Sequence, residues 1–484
     1  MVRGGVGEAT ARLGPARPTV WTEFARIAAD HQPLVNLGQG FPDWLPPPFA
    51  VDSLVQAAQD AAQSPHQYTR PAGHPALVHQ LARRYAAHLR RNIDGLSEVA
   101  VTVGASQALF LSLQTLVGPG DEVILFEPFF DLYVNQVKLA GATPVFVPLR
   151  FVPYNSTGND ENSVTTGGEW VLDADRLQQA VNTKTKAILL NSPHNPTGKI
   201  FTRDEMEHVA AALDLANPDC VVLSDEVYKY IVHAPPVQRA PEESLFCRGH
   251  VHFASLPGMW ERTITISSAG KTFSATGWQV GWCIGPRRLI GRIHQLLPYV
   301  QFCASTVIQE ALARSLPRAD EPYQGHASYY DYLRDNYTKK RDILVQGLRE
   351  AGFGVPDYQQ SPGGGFFIFA RIGPKIRRQI PASRLNVANP AAPGGVARRD
   401  WALCQWMAEE KGLLCIPSAP FFSEAQVEAG ASEDFVRVAF CKSDETLQAA
   451  AVALGALASD MEDNTSKTME TISEPVLQER NETK

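Results

Sequence analysis

The stretch ITISSAGKTFSATGWQVGWCIG, residues 264–285, places a single cation, Lys271, between strand-like apolar residues and small turn-forming ones. A buried ammonium is costly unless it is paired or chemically used. Two readings of this stretch are open. Lys271 is either a surface lysine on a loop between two strands, or a lysine held at a strand end for chemistry. Residues elsewhere in the chain decide between them.

The chain has 484 residues, 44% of them hydrophobic and 20% charged, with a net charge of −7. That length suggests two domains or a large α/β unit, and the composition allows a sizeable core. The acidic balance leaves no footprint for nucleic acid, which calls for a basic surplus. No apolar run reaches membrane-spanning length. The first eighteen residues carry Arg3, Arg12 and Arg17 against Glu8 and lack the hydrophobic core of a secretory signal. They read as a flexible leader, residues 1–18. The expected location is the cytoplasm, with the mitochondrion as the alternative that the arginines raise. Seven cysteines (Cys220, Cys247, Cys283, Cys303, Cys404, Cys415 and Cys441) are scattered without metal-ligand spacing and read as reduced thiols.

Short apolar runs alternate with helical patterns. VAVTVG (99–104) precedes a helix expected near Ser106. DEVILFEP (121–128), TKAILLNSP (185–193), DCVVLSDE (219–226), TITISS (263–268) and VGWCIG (280–285) read as strands. Near-continuous Val/Ile/Leu runs between helices predict an α/β fold with a mainly parallel sheet covered on both faces. Residues 51–314 are assigned to this large domain. Residues 19–50 and 315–458, with strands in GGGFFIFARI and DFVRVAFCK, form a smaller α+β domain. Residues 154–169 and 377–400 look like surface insertions, and 459–484 like a disordered acidic tail.

Ligands of open parallel sheets bind at the carboxyl ends of the strands. After VTV come Gly104, Ala105 and Ser106, opening a helix whose amides suit an anion; the plain alternative is an N-cap at Ser106. After AILLN comes Asn195. After VVLS come Asp225 and Tyr228, where the carboxylate could instead cap a helix. After TITIS come Ser268 and Lys271. Together these put an acid, an amide, a phenol, an anion cradle and a lysine on one sheet edge. A lysine to bond an aldehyde and an aspartate to hold a pyridine nitrogen protonated are what pyridoxal phosphate requires.

Nine blocks in order, VWTEFARIA, VNLGQGFPDW, QYTRPAGHPAL, VTVGASQALF, EPFFDLY, NSPHNPTGK, SDEVYKY, SSAGKTFSATGWQVGW and VRVAFCKSDETLQA, resemble the fold-type I, class I/II aminotransferases. The likeness is to the kynurenine aminotransferase, glutamine transaminase K and cysteine-conjugate β-lyase group, over about residues 19–458. The resemblance implies pyridoxal 5′-phosphate bonded to Lys271, which also moves the substrate's Cα proton. It implies Asp225 on the pyridine nitrogen, Asn195 and Tyr228 on the phenolic oxygen, and Phe130 stacked on the ring. Ala105, Ser106 and Ser268 would hold the phosphate, joined by Tyr68 from a neighbouring subunit, hence a homodimer with shared sites. Arg437 would grip the substrate α-carboxylate with help from the Gly40 backbone, and Trp21 would line the side-chain pocket.

Three departures stand out. The family usually has Arg or Lys eight residues after the lysine, touching the phosphate; here it is Gln279. Ser106 stands where an aromatic is frequent, and Gln301 and Phe302 replace an aromatic–His pair. The implied reaction moves the amino group of a large or aromatic L-amino acid, kynurenine-like or glutamine-like, to a 2-oxo acid. The alternatives are a β-lyase of cysteine conjugates working at the same site, and a degenerate binding protein without catalysis.

Overall fold

The computed structural model describes residues 8–154, 167–215, 218–233, 249–358 and 363–458. The assignments made for residues 1–7, for Cys247 and for the tail 459–484 lie outside them. Helices used below are α1 (Val20–His31), α2 (Pro75–Leu89), α3 (Gly104–Leu116), α4 (Ala269–Thr272) and α5 (Arg287–Val300). Strands are β1 (Val99–Val103), β2 (Glu122–Glu127), β3 (Thr143–Pro148), β4 (Thr185–Asn191), β5 (Val221–Asp225), β6 (Thr263–Ser268) and β7 (Val280–Ile284), followed by β8 (Phe367–Arg371), β9 (Ile416–Pro417) and β10 (Phe435–Ala439).

The first seven strands form one sheet in the order β1-β7-β6-β5-β4-β2-β3. Pairing is parallel from β6 through β5, β4 and β2 to β3, and β7 runs antiparallel to both its neighbours. Successive strand residues enter opposite cores. Val221 and Leu223 of β5 join Leu109 and Leu113 of α3 and Ile293 of α5 on one face. Val222 joins Leu77 and Leu81 of α2 on the other. Both faces are covered, which is why the strands read as unbroken apolar runs. Truncating Leu223, fully buried, to Ala is expected to cost about 2–5 kcal/mol.

The helix after β1 begins at Gly104, two residues earlier than expected, and Ser106 is not its cap: no side chain caps this helix. Gly104 takes a φ of +71°, a left-handed turn that glycine makes at little cost. Beneath it, a Cβ on Gly281 would lie 2.4 Å from the Gly104 carbonyl carbon, so β7 passes under the loop only as glycine.

A second, three-stranded antiparallel sheet has the order β8-β10-β9. Helix α1 is capped by the Thr19 side chain, and its Phe24 meets Trp401 edge-on at 5.7 Å. Val35 and Asn36 pair in parallel with Leu413 and Leu414. The N-terminal segment is therefore built onto the C-terminal part of the chain. The two stretches read as surface insertions are partly paired structure. Gly168–Val171 lies antiparallel to Arg150–Pro153, and Val387–Ala388 to Val396–Ala397. Residues 155–166 are not among those described.

Candidate active site

A cavity of about 340 Å³ opens at the carboxyl end of the sheet. It is lined by Trp21, Gly40, Ala105, Ser106, Phe130, Asn195, Asp225, Tyr228, Ser268, Lys271, Gln279 and Arg437. Tyr68 is not among the lining residues. Its ring is 82% exposed and rests edge-on against Phe302 at 4.7 Å.

Strand β6 ends at Ser268, and the single turn of α4 carries Lys271 into the cavity. Its Nζ donates to the Gly40 carbonyl at 2.9 Å and lies 5.4 Å from the Phe366 ring centre. Burial lowers the ammonium's pKa to about 8, with Arg437 adding to the effect and Cys441 and Asp225 opposing it. The Gly40 backbone, expected to help Arg437 with the substrate carboxylate, lines the cavity, and its carbonyl accepts from the lysine here. The Gly38 carbonyl serves the arginine.

Asp225 ends β5 and does not cap a helix. Its Oδ2 accepts the Tyr133 hydroxyl at 2.7 Å, and Asn191 Nδ2 donates to its backbone carbonyl at 3.0 Å. Burial raises its carboxyl to about 6, against the pull of the Tyr133 hydrogen bond. Asn191 Oδ1 also accepts the Asn195 backbone N–H at 2.8 Å, fixing the loop that presents Asn195. Tyr228 is buried edge-on against Phe366 at 5.1 Å, and burial raises its phenol pKa. Phe130 meets Tyr133 edge-on at 5.6 Å.

Arg437, on β10, is 1% exposed. Its guanidinium donates to Asn195 Oδ1 at 3.2 Å and to the Gly38 carbonyl at 3.0 Å. It lies over the rings of Phe367, Phe421 and Trp21 at 4.3, 5.0 and 5.1 Å. Its Nε has no hydrogen-bond partner, and among the described residues it forms no salt bridge. Burial lowers its pKa to about 10. Trp21 is held in place by donating from Nε1 to Asp131 Oδ2 at 2.7 Å.

The first turn of α3 aims uncapped backbone amides at the same cavity. The same lining holds Ser106, Ser268, Thr276 and Gln279, all neutral; among the described residues its only cationic side chains are Lys271 and Arg437. Gln279 has a φ of +48°, and its Nε2 donates to the Thr276 carbonyl at 2.6 Å.

Sequence reasoning missed Tyr133, Asn191, Asp131, Gly38 and Thr276. Tyr133 and Asp131 both lie inside the block EPFFDLY, and Asn191 ends the strand AILLN. The signal was therefore present as position, but the pairings cross 34 to 110 residues.

The donor set fits pyridoxal phosphate. Lys271 is an amine whose pKa is low enough to supply a neutral nucleophile. Asp225 is a buried carboxylate for a ring N–H. The α3 amides suit a phosphate, and the orphan Nε of Arg437 suits a substrate carboxylate.

The model of the family "Aminotransferase class I and II" matches residues 32–454. The kynurenine–oxoglutarate transaminase of Dictyostelium discoideum is 37% identical over 433 residues, covering 90% of this chain and 92% of that protein. Human kynurenine–oxoglutarate transaminase 3 is 40% identical over 439 residues, covering 89% and 86%. Among solved structures, the N-succinyldiaminopimelate aminotransferase of Mycobacterium tuberculosis superposes with a TM-score of 0.74 at 33% identity, covering 94% of this chain and all of that one. The YbdL protein of Escherichia coli, with a methionine aminotransferase function, gives 0.73 at 27%, again over 94% of this chain and 100% of that one. A lysine and an aspartate brought together from two strand ends, under a family match spanning most of the sequence, lead to one assignment: the chain belongs to the class I and II aminotransferases, enzymes that transfer amino groups with pyridoxal phosphate.

Proposed function

We propose that this aminotransferase takes the amino group from a large or aromatic L-amino acid of the kynurenine kind and passes it to a 2-oxo acid. One observation carries the reading. Arg437 is a buried guanidinium with an unpartnered Nε, enclosed by Trp21, Phe367 and Phe421. It offers a fork for an α-carboxylate inside an aromatic wall that suits a ring-bearing side chain. The kynurenine–oxoglutarate transaminases of Dictyostelium discoideum and human, to which this chain is similar, support the same class of donor.

When bound, pyridoxal phosphate supplies an electron sink for the bond to be broken at Cα. The protein's residues do the rest. Arg437, steadied by Asn195 and the Gly38 carbonyl, fixes the substrate carboxylate. Lys271, with a pKa of about 8, is matched to taking and returning the Cα proton near neutral pH. Asp225, ordered by Tyr133, holds the proton on the ring nitrogen. Tyr228 and Asn195 would hold the phenolic oxygen, Phe130 would cover the ring, and Ala105, Ser106 and Ser268 would hold the phosphate.

We place Tyr68 at the phosphate of a second subunit in a homodimer. Its 82% exposure within one chain supports this. The proposed compartment is the cytoplasm, in keeping with seven scattered cysteines.

The test measures turnover of L-kynurenine with and without a 2-oxo acid, beside aspartate and alanine as donors. Faster turnover of the small donors would refute the aromatic pocket. Turnover of cysteine conjugates independent of any oxo acid would favour the lyase reading, which the comparisons do not favour.

A further inference from the structure

Strand alternation places Asp225 in the cofactor cavity and sends its neighbour Glu226 to the other face of the sheet. There Glu226 shares a side with Ser224, whose hydroxyl donates to Glu226 Oε1 at 2.9 Å. The other carboxylate oxygen, Oε2, faces two imidazoles. It lies 2.6 Å from His252 Nδ1 and 3.3 Å from His250 Nε2. All three side chains are buried. We propose that Glu226, His250 and His252 form a buried site for a divalent transition metal of the zinc class, on the opposite face of β5 from the cofactor cavity.

The donor geometry is close to what such an ion needs. The three ligand atoms lie within 4.8 Å of one another, the one such group among the described residues. Metal bonds of about 2.0–2.2 Å set tetrahedral ligand atoms roughly 3.3–3.5 Å apart. The His250–Glu226 separation already meets this. The His252 contact has to open by less than an ångström, within reach of a small side-chain rotation.

Hydrogen bonding alone leaves the cluster incomplete. His250 Nδ1 has no hydrogen-bond partner and its Nε2 has only the Glu226 carboxylate at 3.3 Å, although the side chain is fully buried. A buried imidazole so incompletely bonded calls for a water or an ion. Two imidazoles and one carboxylate match the preference of Zn²⁺. The Ser224 hydroxyl, and the Glu226 backbone N–H donating to the Ile266 carbonyl at 2.8 Å, hold the carboxylate from behind.

Other groups face the cluster from α2 and from the turn after β5. His88 stacks on His252 at 5.0 Å, and the Lys229 ammonium donates to the Tyr85 hydroxyl and lies 4.1 Å from that ring's centre. Lys229 is a second cation in the same low-dielectric region and opposes the ion. Its removal therefore has a predicted sign: Lys229→Met tightens metal binding.

The test uses the full-length holoenzyme, purified without metal-chelating resin, stripped with a chelator, incubated with Zn²⁺ and passed through a desalting column. Elemental analysis is expected to find about one zinc per chain, with a higher melting temperature than the stripped protein. His252→Ser is expected to lose the zinc while keeping the visible absorbance of the bound cofactor. Substituting Co²⁺ is expected to give the intense visible bands of a four-coordinate site. Absence of zinc from the wild type, or equal zinc in the wild type and His252→Ser, would overturn the proposal. Because the cofactor absorbance is read separately, either result leaves the aminotransferase assignment untouched.

Discussion

Gln279→Arg should tighten the hold on pyridoxal phosphate. The groups proposed to hold the phosphate are the amides of the first turn of α3 and the neutral side chains of Ser106 and Ser268, with Thr276 and Gln279 in the same lining. These satisfy phosphate oxygens but supply no countercharge. A full charge placed about 4 Å from a phosphate oxygen is worth up to ~4 kcal/mol per charge pair at an effective dielectric of ~20. Gln279 is exposed, so solvent and salt screen the pair, and a charge-assisted hydrogen bond of about 1.5–3 kcal/mol is the better figure. Against it stands the lost contact from Gln279 Nε2 to the Thr276 carbonyl, worth about 0.5–1 kcal/mol. Backbone strain does not change, since Gln and Arg both carry a Cβ at the φ of +48°. The net gain is about 1–2 kcal/mol, a roughly 5- to 30-fold lower dissociation constant. The assay titrates apoenzyme with pyridoxal phosphate and follows the visible absorbance, then dialyses both proteins against cofactor-free buffer. Donor preference should stay the same, because Gln279 bonds to the Thr276 carbonyl and shares no partner with Arg437. Equal or weaker retention in the variant would refute the reasoning. Arg288 does not supply the missing charge: it donates to the Glu261 carbonyl at 3.2 Å and does not line the cavity.

Lys271→Ala should abolish transamination without unfolding the protein, since the amine is a desolvated group bonded to the Gly40 carbonyl; near-wild-type turnover would remove the central assignment. Arg437→Lys keeps charge but loses the fork, so kcat/KM should fall for every amino-acid donor by about 1.5–3 kcal/mol, roughly 10- to 150-fold; a loss confined to one donor would move Arg437 to the side-chain pocket. Attachment of pyridoxal phosphate to the apoenzyme needs the neutral form of Lys271, so its rate should rise about tenfold per pH unit and level off above a pKa of about 8. At pH 7 the neutral fraction is about 9%, against about 0.03% for an ordinary lysine; a rate still climbing steeply at pH 10 would contradict the desolvated environment. Tyr133→Phe removes the hydroxyl that lowers Asp225, so the carboxyl should rise further above its present position near 6, measurable by infrared titration of the apoenzyme. An unchanged titration would place the hydroxyl elsewhere.

Much of the large sheet was legible in the linear chain. Buried parallel strands announce themselves as short Val/Ile/Leu runs, and TITISS, VVLSD and AILLN each became a strand ending at a polar residue. That local signal placed Lys271, Asp225 and Asn195 on one edge, because side-chain chemistry at a strand end depends on few neighbours. The start of α3 was misplaced by two residues because a left-handed Gly104 began the helix early, and a backbone angle leaves little trace in residue type. The arrangement of the site was settled only by folding. Tyr133 reaches Asp225 across 92 residues, and Arg437 reaches Asn195 across 242. Burial, which lowers Lys271 and raises Asp225, is a property of the packed surroundings and not of either residue. The Glu226–His250–His252 cluster is of the same kind. Its histidines lie some two dozen residues beyond Glu226 with no motif spacing to mark them, and only the packing of one sheet face against α2 and the turn after β5 brings their nitrogens to one carboxylate.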